Sequence, residues 1–147
     1  MKLYGYWRSS SSWRVRTALE FKGIAYDYVA VHLLEDGGQQ HSDEHRERNP
    51  MEQVPVLEVD TDRGQRHLSQ SMAILEYLEE VEPAPPLLPA DSLLRARTRQ
   101  LAEIVNAGIQ PLQNLALLQR LGSDFDVDAR QWCAPYIRDG LVAYEES

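Results

Sequence analysis

Three apolar patterns follow one another from the amino terminus. Lys2-Leu3-Tyr4-Gly5-Tyr6-Trp7 is short and rich in aromatics and predicts a strand. Trp13 to Phe21 carries its apolar residues at helical spacing and stops at Gly23, the residue type that most readily closes a helix. Ala25 to Leu33 alternates and is rich in valine and tyrosine, which predicts a second strand. After a polar loop around Asp36-Gly37-Gly38 and a charged segment from Ser42 to Arg48, Val54-Pro55-Val56-Leu57-Glu58-Val59 predicts a third. A short fourth strand near His67-Leu68 would pair with it, and Met72, Ile74, Leu75, Leu78 and Val81 mark an amphipathic helix. The order is β-α-β, a loop or short helix, then β-β-α: an α/β domain with helices against a mixed sheet.

The run Val81-Glu82-Pro83-Ala84-Pro85-Pro86-Leu87-Leu88-Pro89 holds four of the eight prolines and continues neither a helix nor a central strand. It divides the chain into residues 1–82, a linker at 83–91 and an all-α part at 92–147. In that part Asp91 or Ser92 caps a long helix along Leu94, Leu101, Val105, Gly108, Leu112 and Leu115, kinked at Pro111. A second helix follows Asp128, with Tyr136, Ile137, Gly140, Leu141 and Tyr144 on one face and Pro135 in its early turns. Two helices leave much apolar surface uncovered, so this part is expected to be incomplete or completed by something else.

Composition narrows the function. Fifteen Lys and Arg against twenty-three Asp and Glu give a formal charge of −8 with no basic cluster, which argues against nucleic acid or an anionic membrane as partner. No stretch has the length of a membrane span or the pattern of a signal peptide, and a cytoplasmic location is expected. A single cysteine, Cys133, excludes an internal disulfide and a CxxC redox pair. His32, His41, His45 and His67 lack metal-ligand spacing, so no metal is expected.

Three features carry chemistry. Ser9-Ser10-Ser11-Ser12 puts hydroxyls and free backbone N–H groups at a helix start, where the partial positive charge suits an anion. Gln70-Ser71 opens another helix directly after a short strand and offers a second such terminus. Between them in sequence, a cis bond at Val54-Pro55 would turn the valine backbone outward toward an extended, peptide-like ligand. Taken singly, each has a plain alternative: a cap and polar turn, an ordinary cap, and an edge-strand proline. Together, in this order, they point to one tripeptide-sized ligand.

With these residues in view, the sequence resembles the zeta class of glutathione transferases. The resemblance rests on Ser9-Ser10-Ser11-Ser12-Trp13-Arg14-Val15-Arg16, Asp36-Gly37-Gly38-Gln39-Gln40, Asn49-Pro50-Met51-Glu52-Gln53-Val54-Pro55, Gln70-Ser71 with Glu76-Tyr77-Leu78-Glu79-Glu80, and Gly108-Ile109-Gln110-Pro111-Leu112-Gln113-Asn114-Leu115. It implies a thioredoxin-like amino-terminal domain followed by a helical transferase domain, here incomplete, with glutathione as cofactor. By that resemblance Ser9, Ser10 and Ser11 are catalytic and hydrogen-bond the glutathione sulfur. The glutathione contacts extend through Ser12, Trp13 and Arg14. Gln70 and Ser71 would hold the γ-glutamyl carboxylate, Val54 and Pro55 the cysteinyl part, and Gln40 the glycyl end. Gln110 and Asn114 would reach the sulfur region or the neighbouring subunit of a homodimer, with Leu118, Gln119 and Arg120 following.

The implied reaction is cis–trans isomerisation of maleylacetoacetate to fumarylacetoacetate, in the breakdown of aromatic amino acids. A thiol with a pKa of about 8.5 is only a few per cent ionised at neutral pH, and the thiolate is the nucleophile. Donors that lower that pKa by about two units supply roughly 2.7 kcal/mol. The enediolate charge that develops needs a donor, for which Ser10, Gln110 and Arg14 are candidates, Arg14 being equally readable as a helix arginine paired with an acid. The family usually has cysteine where Ser11 stands, and a hydroxyl cannot form a mixed disulfide. It also continues for several more helices, so the isomerase activity attaches to this chain conditionally. Two alternatives stay open: a glutathione transferase acting on a small electrophile such as an α-halo acid or a peroxide, and a non-catalytic binding module. Trp7, Trp13 and Trp132 read as core or domain-interface residues, Cys133 as a helix residue without a redox role, and Glu76, Glu79, Glu80 and Glu82 as a solvated helix face.

Overall fold

A computed structural model describes residues 1–147 and shows two compact units, Met1–Leu87 and Leu88–Ser147. The first unit runs β1 (Lys2–Gly5), α1 (Ser10–Lys22), β2 (Asp27–Ala30), α2 (Asp43–Arg48), β3 (Val56–Thr61), β4 (Gly64–Ser69) and α3 (Ser71–Val81), with 3₁₀ turns at Glu35–Gly37 and Gln39–His41 before α2. The sheet order is β2-β1-β3-β4; β1 and β2 are parallel and the other pairs antiparallel. This is the mixed, thioredoxin-like sheet that the sequence predicts. β4 is longer than expected, because Val56↔Ser69 through Thr61↔Gly64 all pair. Its outer residues Gly64 to His67 are exposed and polar, so hydropathy does not mark them.

Strand alternation decides which side each helix covers. Leu3, Leu57 and Val59 share one face with Val15, Ala18 and Leu19 of α1 and Ile74 and Leu78 of α3, all buried. Each fully buried aliphatic side chain contributes about 2 kcal/mol. Tyr4, Val31 and Val56 occupy the other face. There β3 also carries a buried acid: Glu58 accepts from Lys2 Nζ at 2.9 Å and Tyr4 Oη at 2.8 Å, and His67 Nε2 lies 3.2 Å away. Principally through the Lys2 hydrogen bond, its pKa falls to about 2.

Helix α1 is capped by Ser9 and closed by Gly23 in the left-handed conformation, φ 67°. Its last turn holds Lys22, whose side chain is fully buried. The ammonium reaches Glu79 Oε2 at 2.7 Å, the Glu82 carbonyl at 2.5 Å and the Pro85 carbonyl at 3.0 Å. Glu79 Oε2 also accepts from the Leu87 N–H at 2.9 Å. Glu79 is therefore not part of a solvated face but half of a clamp on the proline-rich segment.

The second unit departs from the expected single long helix. α4 (Ser92–Glu103) starts at the cap Asp91, whose Oδ1 accepts from Leu93 N at 3.0 Å and Leu94 N at 2.9 Å. It then widens into a π turn at Ile104–Ile109 and tightens into a 3₁₀ turn at Gln110–Gln113. At Asn114 the backbone becomes extended, and α5 (Leu115–Phe125) begins afresh with the Asn114 side chain as its cap. Pro111 is the cause: it supplies no N–H and its ring collides with the carbonyl four residues back, so the helix ends rather than bends. α6 (Ala129–Glu146) follows the cap Asp128 and contains Pro135. Gly140 of α6 meets Ile109 so closely that a Cβ there would lie 2.4 Å from Ile109 Cγ1. Ile109 is the one buried side chain of this unit. No helix of the chain is long and apolar enough to cross a membrane.

Two measurements test this account. Lys22→Met should lower unfolding stability in urea by about 3 kcal/mol, because it strands Glu79 in a largely buried site. The Glu58 contribution should be complete above pH 4.5 and disappear as pH falls toward 2, since the folded carboxyl holds its charge below the unfolded value. Chemical unfolding across that window should show a loss on the order of 2 kcal/mol that is missing in Glu58→Gln.

Candidate functional site

The strand register assembles the site. Tyr4 pairs with Val56, and Val56 pairs with Ser69, so the end of β1, the start of β3 and the end of β4 lie at one edge of the sheet. The loop to Ser9, the turn at Val54–Pro55 and the Gln70–Ser71 step all leave from that edge.

At the start of α1 the Ser9 backbone is extended and its Oγ accepts from the Ser12 N–H at 3.2 Å. An oxygen engaged as acceptor keeps its own O–H to donate. Ser10 is exposed and Ser11 half-buried on the first turn. Ser12 is fully buried; its Oγ accepts from Tyr6 N at 3.4 Å and sits against Gly5, where an added Cβ would stand 3.2 Å from it. Trp13 donates its indole N–H to the Trp7 carbonyl at 2.9 Å. At 62% and 59% exposed, Trp7 and Trp13 are not core residues: the indole bond, not burial, orders them. Trp132, in the second unit, is half-buried and donates to the Leu112 carbonyl at 2.9 Å.

The Val54–Pro55 peptide is cis. Immediately before it, the Gln53 carbonyl accepts from Asn49 Nδ2 at 2.9 Å and lies 3.0 Å from His45 Nε2. A histidine beside a carbonyl must carry its proton on that nitrogen. His45 is buried, and burial lowers its pKa, so the neutral ring is the working form. Sequence reasoning assigned neither His45 nor Asn49 a role; the signal was a lone imidazole on the otherwise charged Asp43–Arg48 helix.

At the start of α3, Gln70 has φ 69° and ψ 107°, a backbone conformation that L-residues rarely adopt and that tends to mark functional sites. Its side chain does not cap the helix. The other five α-helices are capped by Ser9, Ser42, Asp91, Asn114 and Asp128, so α3 alone opens without a side-chain cap. Ser71 is buried, and its Oγ accepts from Arg14 Nη1 at 2.6 Å. Arg14 thus reaches the opening of α3.

Gln40 is buried behind this edge. Its amide is pressed against Gly38, at φ 98°, and its Nε2 lies 2.9 Å from His41 Nε2. His41 Nδ1 is 2.5 Å from Glu52 Oε2, and Arg46 Nε donates to Glu52 Oε1 at 2.9 Å. These two bonds, His41 first, hold the Glu52 carboxyl below the usual carboxylate range. Gln40 therefore braces the loop that leads to Val54. Gln110 and Asn114 belong to the second unit: Gln110 opens the 3₁₀ turn, and Asn114 Oδ1 accepts from Ala116 N at 3.0 Å. Leu118 and Gln119 lie on α5, as does Arg120, which pairs with Asp124 at 3.2 Å. A separate groove of about 500 Å³ on the α2 face is lined by Tyr4, Val31, Gly38, His45 and Arg48 among others, and includes neither Ser9 nor Ser71.

Comparison with known proteins fits this geometry. Residues 1–80 match the family described as glutathione S-transferase, N-terminal domain. The chain belongs to the glutathione transferase family. It is 49% identical over 146 residues to a maleylacetoacetate isomerase of Dictyostelium discoideum, covering 98% of this chain and 65% of that protein. Among solved structures, it is similar to a bacterial zeta-class maleyl pyruvate isomerase, with TM-score 0.92 and 42% identity, over 99% of this chain and 68% of that one. It is also similar to a maleylacetoacetate isomerase of Anaeromyxobacter dehalogenans 2CP-1 with glutathione bound in the active site, with TM-score 0.86 and 52% identity, over 99% and 66% of the two chains. The chain spans a little under two thirds of the length of the first curated relatives it matches.

The edge is built from two helix starts and a fixed turn, and His45 is a support of that turn. Because its folded pKa lies below the ordinary histidine value, its contribution is present above about pH 6.5 and is lost as pH falls through the folded pKa. Thermal unfolding followed from pH 7.5 down to 5 should show that decline in the wild type and a flatter profile in His45→Gln.

Proposed function

We propose that the chain binds glutathione at the edge where α1, α3 and the Val54 turn meet, and that it belongs to an enzyme converting maleylacetoacetate to fumarylacetoacetate. The observation that carries this reading is the register Tyr4↔Val56↔Ser69, which brings two helix starts and an outward-turning strand entrance to one edge. A tripeptide with a thiol in its middle and a carboxylate at each end offers an anionic group to each helix start and a backbone to the turn between them. The donor set also fits: the uncapped start of α3 with Ser71 suits a carboxylate, and the start of α1 with Ser9 suits a sulfur anion.

When bound, glutathione supplies the thiolate nucleophile of an addition–elimination isomerisation and is regenerated. The residues do the rest. Ser9, whose oxygen accepts from the Ser12 N–H, keeps its own O–H to donate to the sulfur, with Ser10 and Ser11 on the same turn. The N–H groups of α1 add the positive end of the helix, so the ionised thiol is favoured at neutral pH. The backbone of Val54 would pair with the cysteinyl part, and Gln70 and Ser71 would hold the γ-glutamyl carboxylate. By the same resemblance Ser12, Trp13, Arg14 and Gln40 would complete the glutathione contacts; Ser12 is buried against Gly5, Trp13 is bonded to the Trp7 carbonyl and Gln40 to His41. Relatives are named maleylacetoacetate isomerase and maleylpyruvate isomerase, and both names point to maleyl-type acids, which supports such an acid as the substrate class. A homodimer, a cytoplasmic location and a place in aromatic amino acid breakdown complete the reading.

Calorimetry with millimolar glutathione should give saturable heat on the 147-residue chain. Ser9→Ala should raise the pKa of the bound thiol by about one unit or more in an ultraviolet thiolate titration, with affinity changed less than threefold, and the same titration on Ser10→Ala and Ser11→Ala apportions the role. Absence of binding heat in the wild type sinks the proposal in favour of a binding module for other partners.

A further inference from the structure

We infer that Arg14 is a positioning residue for carboxylate recognition, acting through the Ser71 hydroxyl and not by touching the ligand's sulfur. The inference rests on the glutathione reading above and adds to it a residue that orients the anion-binding donor.

The argument starts from what a hydroxyl can do. Serine has one O–H and two lone pairs, and a guanidinium has donors only. The 2.6 Å contact from Arg14 Nη1 therefore fixes Ser71 Oγ as the acceptor. The Ser71 proton must then point away from the guanidinium. Within a helix a serine O–H can fold back on the carbonyl four residues earlier, but Ser71 is the first residue of α3. Four residues earlier lies His67, in β4, so no helical carbonyl competes for the proton. Ser71 is 5% exposed, which makes its rotor a confined one, and the bond is charge-assisted and hence among the stronger kinds.

The surroundings aim that proton at an anion. Gln70, at φ 69°, turns the chain sharply into α3 without capping it, so the first-turn N–H groups and the Ser71 O–H open the same helix end. A carboxylate arriving there meets donors already oriented, and the half-buried guanidinium holds the hydroxyl oxygen at 2.6 Å. Orientation before binding spares the ligand the cost of ordering the hydroxyl, which is how preorganisation raises affinity. Lysine would not replace this arrangement, because the guanidinium is a planar fork with its donors in fixed directions, one of which stays on Ser71.

The test compares glutathione with its analogue amidated at the γ-glutamyl α-carboxylate, by calorimetry on the wild type, Arg14→Gln, Arg14→Lys, Ser71→Ala and the Arg14→Gln/Ser71→Ala double variant. The wild type should prefer the carboxylate by about tenfold or more, corresponding to about 1.4 kcal/mol. Arg14→Gln should cut that preference to under threefold while the amidated ligand binds nearly as before, and the double variant should lose no more than Ser71→Ala alone. Arg14→Lys should fall between, and it carries the same comparison should Arg14→Gln fail to fold. Equal loss of both ligands, an unchanged preference, or additive losses in the double variant overturn the inference. A wild type that binds neither ligand overturns the glutathione reading instead.

Discussion

The site depends on α1 and α3 covering the same face of the sheet. Leu3 and Leu57 fill that face, and Val15, Leu19, Ile74 and Leu78 come down on it from the two helices, so the helix axes are fixed against the same strands. Once that packing is made, the distance between their starts is no longer adjustable, and a side chain of α1 reaches the first residue of α3 within hydrogen-bonding range. Apolar burial on one side of the sheet thereby sets polar geometry at its edge. The opposite face is free to serve other needs, and there the chain keeps Glu58 charged among Lys2, Tyr4 and His67 and holds the α2 segment that braces Val54.

Much of this was readable from the residues. Alternation placed β1, β2 and β3, and glycine at 23 and aspartate at 91 gave a correct end and a correct start because capping is local chemistry. The edge strand β4 was underestimated since its outer half is polar by design of its exposure, and only pairing with β3 defines it. The two helix starts and the proline at 55 were visible as a pattern, whereas the cis form of that proline's bond and the joining of the three were not. Arg14 and Ser71 are 57 positions apart, and no local rule links them. The same holds for His45 with Gln53, and for Lys22 with Glu79. Each is a tertiary pair in which one polar partner looked like ordinary surface.

The second unit shows the limit from the other side. A heptad-like series from Leu94 to Leu115 reads as one helix, yet the chain passes through π and 3₁₀ turns and restarts at Asn114. Periodicity registers which residues share a face and is blind to a missing N–H. Proline at 111 removes one, and the widened turn before it is how the backbone absorbs the collision. At the end of that widened turn Ile109 packs so close to Gly140 that a side chain there would collide with it.

Lys22 carries a consequence for where the first unit can be divided. Its ammonium is held by carbonyls at 82 and 85 and by a carboxylate that also binds the N–H of Leu87, so those prolines and the leucine are fastened to the sheet-bearing body although they look like a tether. Severing the polypeptide after Glu82 would leave a cation enclosed with one of its three acceptors gone and Glu79 without the Leu87 N–H, whereas severing it after Leu87 would keep the enclosure whole. The natural seam of the molecule therefore lies past the first three prolines of the run, set by a buried charge instead of by the place where the helix stops.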